Sequence, residues 1–195
     1  RLAEYIERVG QTGDLTYGSL ASMIEAMLAR EGRRAEAREW NRRRIETFER
    51  NGDTSGMGMI TALHSQSGHL YDGGEVLAAL ELETDIVNKL AGQEGASKVP
   101  SKYASWLGQL KVRVQETEEG LALIDHAIDY AINAEGPRTH IGTLLARARA
   151  NLWLGRTDAV LADIEAAEAL IRETPKENAD LLRSAKFYRA DLALV

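Results

Sequence analysis

The sequence predicts an all-α fold of helical hairpins that recur every forty-odd residues. Three observations carry that expectation. Alanine, leucine, glutamate and arginine, all good helix formers, dominate the chain. Only three prolines interrupt it, Pro100, Pro137 and Pro175, each where the apolar pattern lapses. Four helix stops are each followed at once by a new amphipathic run, at "AREGRRAEAREW", "YDGGEVLAALEL", "RVQETEEGLALI" and "WLGRTDAVLADI". Their turn residues, Gly32, Gly74, Gln115 and Gly155, stand 42, 41 and 40 positions apart. Unrelated helices do not keep so regular a spacing, which marks a repeat architecture.

Each repeat divides into two helices. The first helices are expected at 17–31, 55–71, 101–115 and 138–154, and the second at 33–50, 75–91, 117–134 and 156–173. The repeats therefore span 17–50, 55–91, 101–134 and 138–173. Just after the first repeat, "NGD" at 51–53 could form a hairpin turn between strands, but its flanks are helical, so it reads as a helix stop. "LKVRVQ", Leu110–Gln115, is the best strand candidate, yet Trp106, Leu107, Leu110 and Val114 carry helical spacing into it. The second helix of the third repeat shows the cleanest face, with Leu121, Ile124, Ile128 and Ala131 at three- and four-residue steps. Small residues early in the second helices, at Ala37, Ala79, Gly120 and Ala159, allow close approach to the first helix. In the fourth repeat Gly155 ends one helix and Thr157 or Asp158 is expected to cap the next. Residues 1–10 read as the tail of an earlier second helix, and 178–194 as a further first helix. One hairpin cannot bury its own apolar face, so the hairpins are expected to stack as a solenoid.

The segment "SWLGQLKVRVQETEEGLALIDHAI", Ser105–Ile128, resembles the tetratricopeptide repeat (TPR) family. Leu107-Gly108 match its first-helix Leu-Gly pair, Gly120 its small residue opening the second helix, and Ala127 its alanine near the end. "LGRTDAVLADIEAAEAL" repeats the pattern with Gly155, Ile164 and Ala167. The period exceeds the usual length of about 34 residues, which resembles the longer variety found in kinesin light chains and bacterial regulators. The resemblance implies a right-handed α-α superhelix, a TPR-like solenoid whose first helices line a concave groove. Aligning the repeats by their turns then places His64 with Ser105, Gly68 with Gln109, and Tyr71 with Val112, followed by Arg113 and Trp153. His64, Tyr71, Gln109 and Arg113 are the expected groove residues. Family members that clamp the C-terminal tails of chaperones use a lysine and asparagines on these rows. Serine, histidine, glycine and glutamine stand there here, which argues against that partner.

Composition narrows the function. The net charge of −6 argues against a nucleic-acid partner and against an anionic membrane surface. No cysteine is present, which excludes disulfides, thiolate metal sites and thiol nucleophiles and fits a cytoplasmic location. The chain opens on Arg1 and ends on an apolar "ADLALV", so residues 1–195 are expected to be one repeat domain cut from a larger multidomain protein. Apolar end repeats leave pairing of two copies through those ends open.

Catalytic motifs are missing: there is no Walker loop, nucleophile elbow or H-E-x-x-H. The adjacent glycines of "YDGGE" read as a turn rather than a phosphate loop. His64 and His69 are five apart, poor spacing for metal ligands on a helix, and Asp125, His126 and Asp129 read as a solvated face. "EWNRRRIETFER" is the sharpest basic cluster, but interleaved Glu39, Glu46 and Glu49 predict local ion pairs on an outer face, with Trp40, Ile45 and Phe48 inward. The acids of "ETEEG" suit the dipole of a helix start. Trp106 is expected to pack, and Trp153 to face either core or groove. No catalytic residue, cofactor or metal is therefore expected. The sequence reads as a module that binds a protein or peptide, within a bacterial-type signalling or regulatory protein. The alternative is the sensor tail of a kinase, cyclase or ATP-dependent transcription regulator that binds a small effector.

Overall fold

The computed structural model describes residues 16–192, and the helix expected at 1–10 lies outside them. Among the described residues the α-helices are α1 (Thr16–Arg30), α2 (Arg34–Arg50), α3 (Met57–Asp72), α4 (Val76–Glu94), α5 (Ser101–Arg113), α6 (Thr117–Tyr130), α7 (Pro137–Trp153), α8 (Thr157–Glu173) and α9 (Ala179–Leu192). A 3₁₀ turn, Ala96–Lys98, precedes α5, and a π-helical turn, Ala131–Glu135, ends α6. No strand occurs among these residues, and "LKVRVQ" closes α5. None of the described helices is long and apolar enough to cross a membrane.

The four turns share one geometry. Gly32, Gly74, Gln115 and Gly155 all take positive φ, between 68° and 87°. In each, the next backbone N–H reaches back five residues: Arg33 to Leu28 O, Glu75 to Leu70 O, Glu116 to Lys111 O and Arg156 to Asn151 O. That bond satisfies a carbonyl left over at the helix end and reverses the chain within two residues. Arg33, Glu116 and Arg156 are the N-cap residues of α2, α6 and α8 and none makes a side-chain cap bond. The capping expected of Thr157 or Asp158 is thus corrected, because both already lie inside α8.

Gln115 is the single non-glycine residue with positive φ among the described residues, at 71°. A Cβ in that conformation costs about 1 kcal/mol, so Gln115→Gly is expected to raise stability by about that amount. Urea denaturation measures it, and an unchanged midpoint would show the turn to be unstrained.

Counting from the turn residue exposes the packing rule. Seven residues before it stand Glu25, Ser67, Gly108 and Ala148; five after it stand Ala37, Ala79, Gly120 and Val160. The second set corrects the sequence reading, since Val160 and not Ala159 takes the fourth place and is fully buried. At α5 and α6 both positions are glycine. A Cβ on Gly108 would lie 2.5 Å from Gly120 O, and one on Gly120 2.5 Å from Gly108 O. Between α3 and α4, Ser67 uses the same place to donate its hydroxyl to Ala79 O at 3.1 Å.

The chain divides into two compact units, Arg1–Leu82 and Glu83–Val195, and the division falls inside α4. In the first, α1 packs on α2 and α2 on α3. Tyr17, Ala21, Leu28, Ala37 and Trp40 form one cluster there. Phe48, Met59 and Ala62 form another. In the second unit α5 pairs with α6 and α7 with α8, α7 also packs on α5, and α9 packs on both α7 and α8. Its core runs through Ile124, Ile141, Leu144, Val160, Ile164 and Ile171.

Candidate functional site

In the second unit, helical spacing builds a continuous stripe across two helices. On α5 the residues Tyr103, Leu107, Gly108 and Leu110 are buried. The opposite stripe is Lys102, Trp106, Gln109 and Arg113, at steps of four, three and four. On α7 the matching stripe is Gly142, Ala146, Arg149 and Trp153. Its two small residues leave space, and a cavity of about 350 Å³ is lined by Lys102, Ser105, Trp106, Gln109, Gly142 and Ala146 among others.

Along this stripe cations and rings alternate. The Arg149 guanidinium lies 5.1 Å from the centre of Trp106 and 5.2 Å from that of Trp153. Arg113 lies 5.1 Å from Trp153 in turn. Lys102 sits 4.5 Å from the ring of Tyr103. Each contact is favourable by about 0.5–1 kcal/mol where exposed. Gln109 is the strut beneath. Its Oε1 accepts from Arg149 Nε at 2.5 Å, while its Nε2 donates to Ser105 O at 3.2 Å. Both tryptophans are half-buried, and Trp153 also packs against the core cluster.

Charge is sorted by helix. Neither α5 nor α7 contains an acidic residue, whereas α6 carries four and α8 five, against one arginine. Three of the six Lys and Arg residues on α5 and α7 are engaged by carboxylates. Lys111 donates to Glu116 and Glu119, bonds that raise its pKa and lower that of Glu119. Arg138 pairs with Asp180 at 2.7 Å, which lowers the Asp180 pKa. Arg147 bridges Asp163 at 2.7 Å and Asp125 at 2.6 Å. Burial, with Arg147 second, lowers the pKa of His140. Lys102, Arg113 and Arg149 have no carboxylate partner among the described residues.

The first unit is arranged differently. The arginine run does pair locally: Arg42 with Glu39 at 2.6 Å and with Glu46, and Arg43 with Glu39 at 2.8 Å. Hydrogen bonds from both arginines pull the Glu39 pKa down to about 2. Arg44 departs from the outer-face reading. It is 4% exposed and faces Glu25 at 3.6 Å, and Glu25 also meets His69 Nε2 at 3.0 Å. Glu25 stands where the other hairpins place serine, glycine or alanine, so charge replaces small-residue packing there. A second cavity, of about 360 Å³, lies among Arg38, Asn41, Ile45, Gln66, His69 and Leu70.

No family model matches the chain, and no curated protein does. Solved structures do. The structure of BtubC (BKLC) from P. vanneervenii is matched with a TM-score of 0.62 at 13% identity, over 82% of this chain and 65% of that one. Two structures of a putative kinesin light chain from Podosopora anserina, described as having nearly identical TPR-like repeats, match as well. One, a point variant, has a TM-score of 0.56 at 15% identity, over 90% of this chain and 95% of that one. The other gives 0.53 at 16%, over 89% and 94%. The fold is TPR-like. At such identities the match carries the architecture alone.

Of the four expected groove residues of this TPR-like chain, His64 and Tyr71 lie half-buried on α3 in the first unit. Gln109 and Arg113 lie on the α5 stripe of the second, one buried and one exposed. Val112, placed on a groove row from the sequence, is 5% exposed and belongs to the core. Arg149 was missed, although the row of Gly68 and Gln109 continues to it forty residues further on. Asp125 of the Asp125–His126–Asp129 group serves Arg147, while His126 is exposed.

Proposed function

We propose that the chain is a non-catalytic interaction module that binds an extended segment of a partner protein along the α5 and α7 stripe. The observation that carries this is the row Trp106, Arg149, Trp153 and Arg113, held by Gln109 beside an open cavity. Stacked side chains lose little freedom on binding, and an aromatic–arginine row gives both area and directed donors. TPR-like repeats in general serve protein–protein contact, which supports the reading. His64 and Tyr71 on α3 are proposed as contributors from the first unit. The long repeat period supports a place in a bacterial-type signalling or regulatory protein, and the absence of cysteine supports a cytoplasmic one.

A peptide library selected against the chain tests it. Selected peptides are expected to change tryptophan emission. The quadruple alanine variant at His64, Tyr71, Gln109 and Arg113 is expected to lose at least about tenfold in affinity. Unchanged affinity in that variant would reject the assignment.

A further inference from the structure

We infer that the segment bound on this stripe is acidic, and that it meets Lys102, Arg113 and Arg149 through carboxylate side chains. The inference rests on the binding reading above and goes beyond it to the chemistry of the partner. Two independent observations point the same way. First, the protein is net negative, yet its two stripe-bearing helices contain no acidic residue, while their hairpin partners α6 and α8 carry nine between them. A segment bearing positive charge would be repelled from the stripe and drawn to the α6 and α8 side; a negative one is steered to the stripe. Second, the cations of the stripe are the ones left without carboxylates, while the other three on the same two helices are all paired.

Geometry adds to this. The Arg149 guanidinium carbon lies over both indoles, and its Nε donates to Gln109. Its two terminal nitrogens remain to make a two-pronged contact, which suits a planar carboxylate. Phosphates of a nucleic acid share the charge but fit less well. Three such cations release few counterions, which gives a nucleic acid little affinity.

The test uses the whole chain and three labelled probes: a peptide alternating Glu and Gly, its Gln–Gly counterpart, and a single-stranded RNA of similar length. The acidic peptide is expected to bind about tenfold tighter than the amide one and to weaken as salt rises. Arg149→Gln and Arg113→Gln are each expected to weaken it several-fold and to erase its preference over the amide peptide. Arg42→Gln, on the paired surface of the first unit, is expected to leave it unchanged. Because Arg113 is exposed, its variant keeps the test valid even where Arg149→Gln perturbs folding.

Equal affinity for both peptides, or an undiminished preference in Arg113→Gln, would overturn the inference. Tighter binding of the RNA would overturn it in favour of nucleic acid. Self-association of the chain that Arg113→Gln abolishes would overturn it in favour of a second copy. A neutral library peptide that still perturbs the indoles would show that only the acidity fails; silence of the indoles to every peptide would remove the binding reading as well.

Discussion

Replacing Arg147 with methionine is expected to lower the free energy of unfolding by about 3 kcal/mol, because it strands a buried carboxylate. Asp163 is 4% exposed and takes three contacts from Arg147: Nε to both carboxylate oxygens at 3.1 Å and Nη2 to Oδ1 at 2.7 Å. The remaining arm of Arg147 reaches Asp125 on α6 at 2.6 Å. One side chain on α7 therefore bolts its own hairpin partner α8 to the second helix of the hairpin before it. The Asp125 contact is largely exposed and contributes at most about 1 kcal/mol. The buried arm dominates. Substituting both residues, Arg147→Met with Asp163→Leu, is expected to recover stability to within about 1 kcal/mol, since an apolar pair of similar volume avoids desolvation. A double-mutant cycle by urea denaturation decides the matter. Additive losses would show that Asp163 finds solvent when its partner leaves.

Gly108→Ala is expected to cost about 2 kcal/mol, although alanine is the better helix former. The new Cβ would meet Gly120 O at 2.5 Å and Ile124 Cγ1 at 2.7 Å. A backbone carbonyl cannot rotate away, so α5 and α6 must separate along their whole contact. Overpacking of this kind costs about 1–3 kcal/mol, occasionally more, and outweighs the gain in propensity of about 1 kcal/mol. Gly142→Ala on α7 gives the contrast, because no atom lies within 4 Å of the Cβ position. That variant is expected to gain up to about 1 kcal/mol. The same chemical change should therefore move the melting temperature in opposite directions at two glycines. A loss at both positions would mean that helix propensity and the close approach have been misjudged together.

These two sites show where sequence reading reaches and where it stops. Gly108 and Gly120 were legible, because a small residue repeated at fixed distance from a turn has few other uses. Gln115 was legible too, as a turn residue that only the period reveals. Val160 is reached by the same count, five residues after Gly155, yet the alanines around it make Ala159 the nearer match when small residues alone are sought. Arg44 was read with its neighbours as an outer-face cation. Its position twelve residues after Gly32 is that of Ile86, Ala127 and Ala167, all buried, and Glu25 faces it across the hairpin. Glu25 breaks the small-residue rule and Arg44 interrupts a buried apolar row, so neither alone signals the other.

The binding stripe divides in the same way. Gln109 and Arg113 follow from the turn-aligned rows, and their places on α5 need nothing but helical geometry. Arg149 sits on the same row, yet its role depends on two indoles from different hairpins closing on one guanidinium, and on which arginines already have carboxylates.

By itself the sequence determined the helices, their pairing, the period and the glycine turns, because these depend on local conformation and on which face of each helix is apolar. Tertiary structure decided which charges are paired and which remain. Partners such as Arg147 and Asp163, or Arg44 and Glu25, come together only when separate helices pack. Helical spacing records the local pairs of Glu39 with Arg42 and Arg43. Pairing between helices, however, is a matter of a few ångströms between side chains distant in the chain, and no periodicity records it.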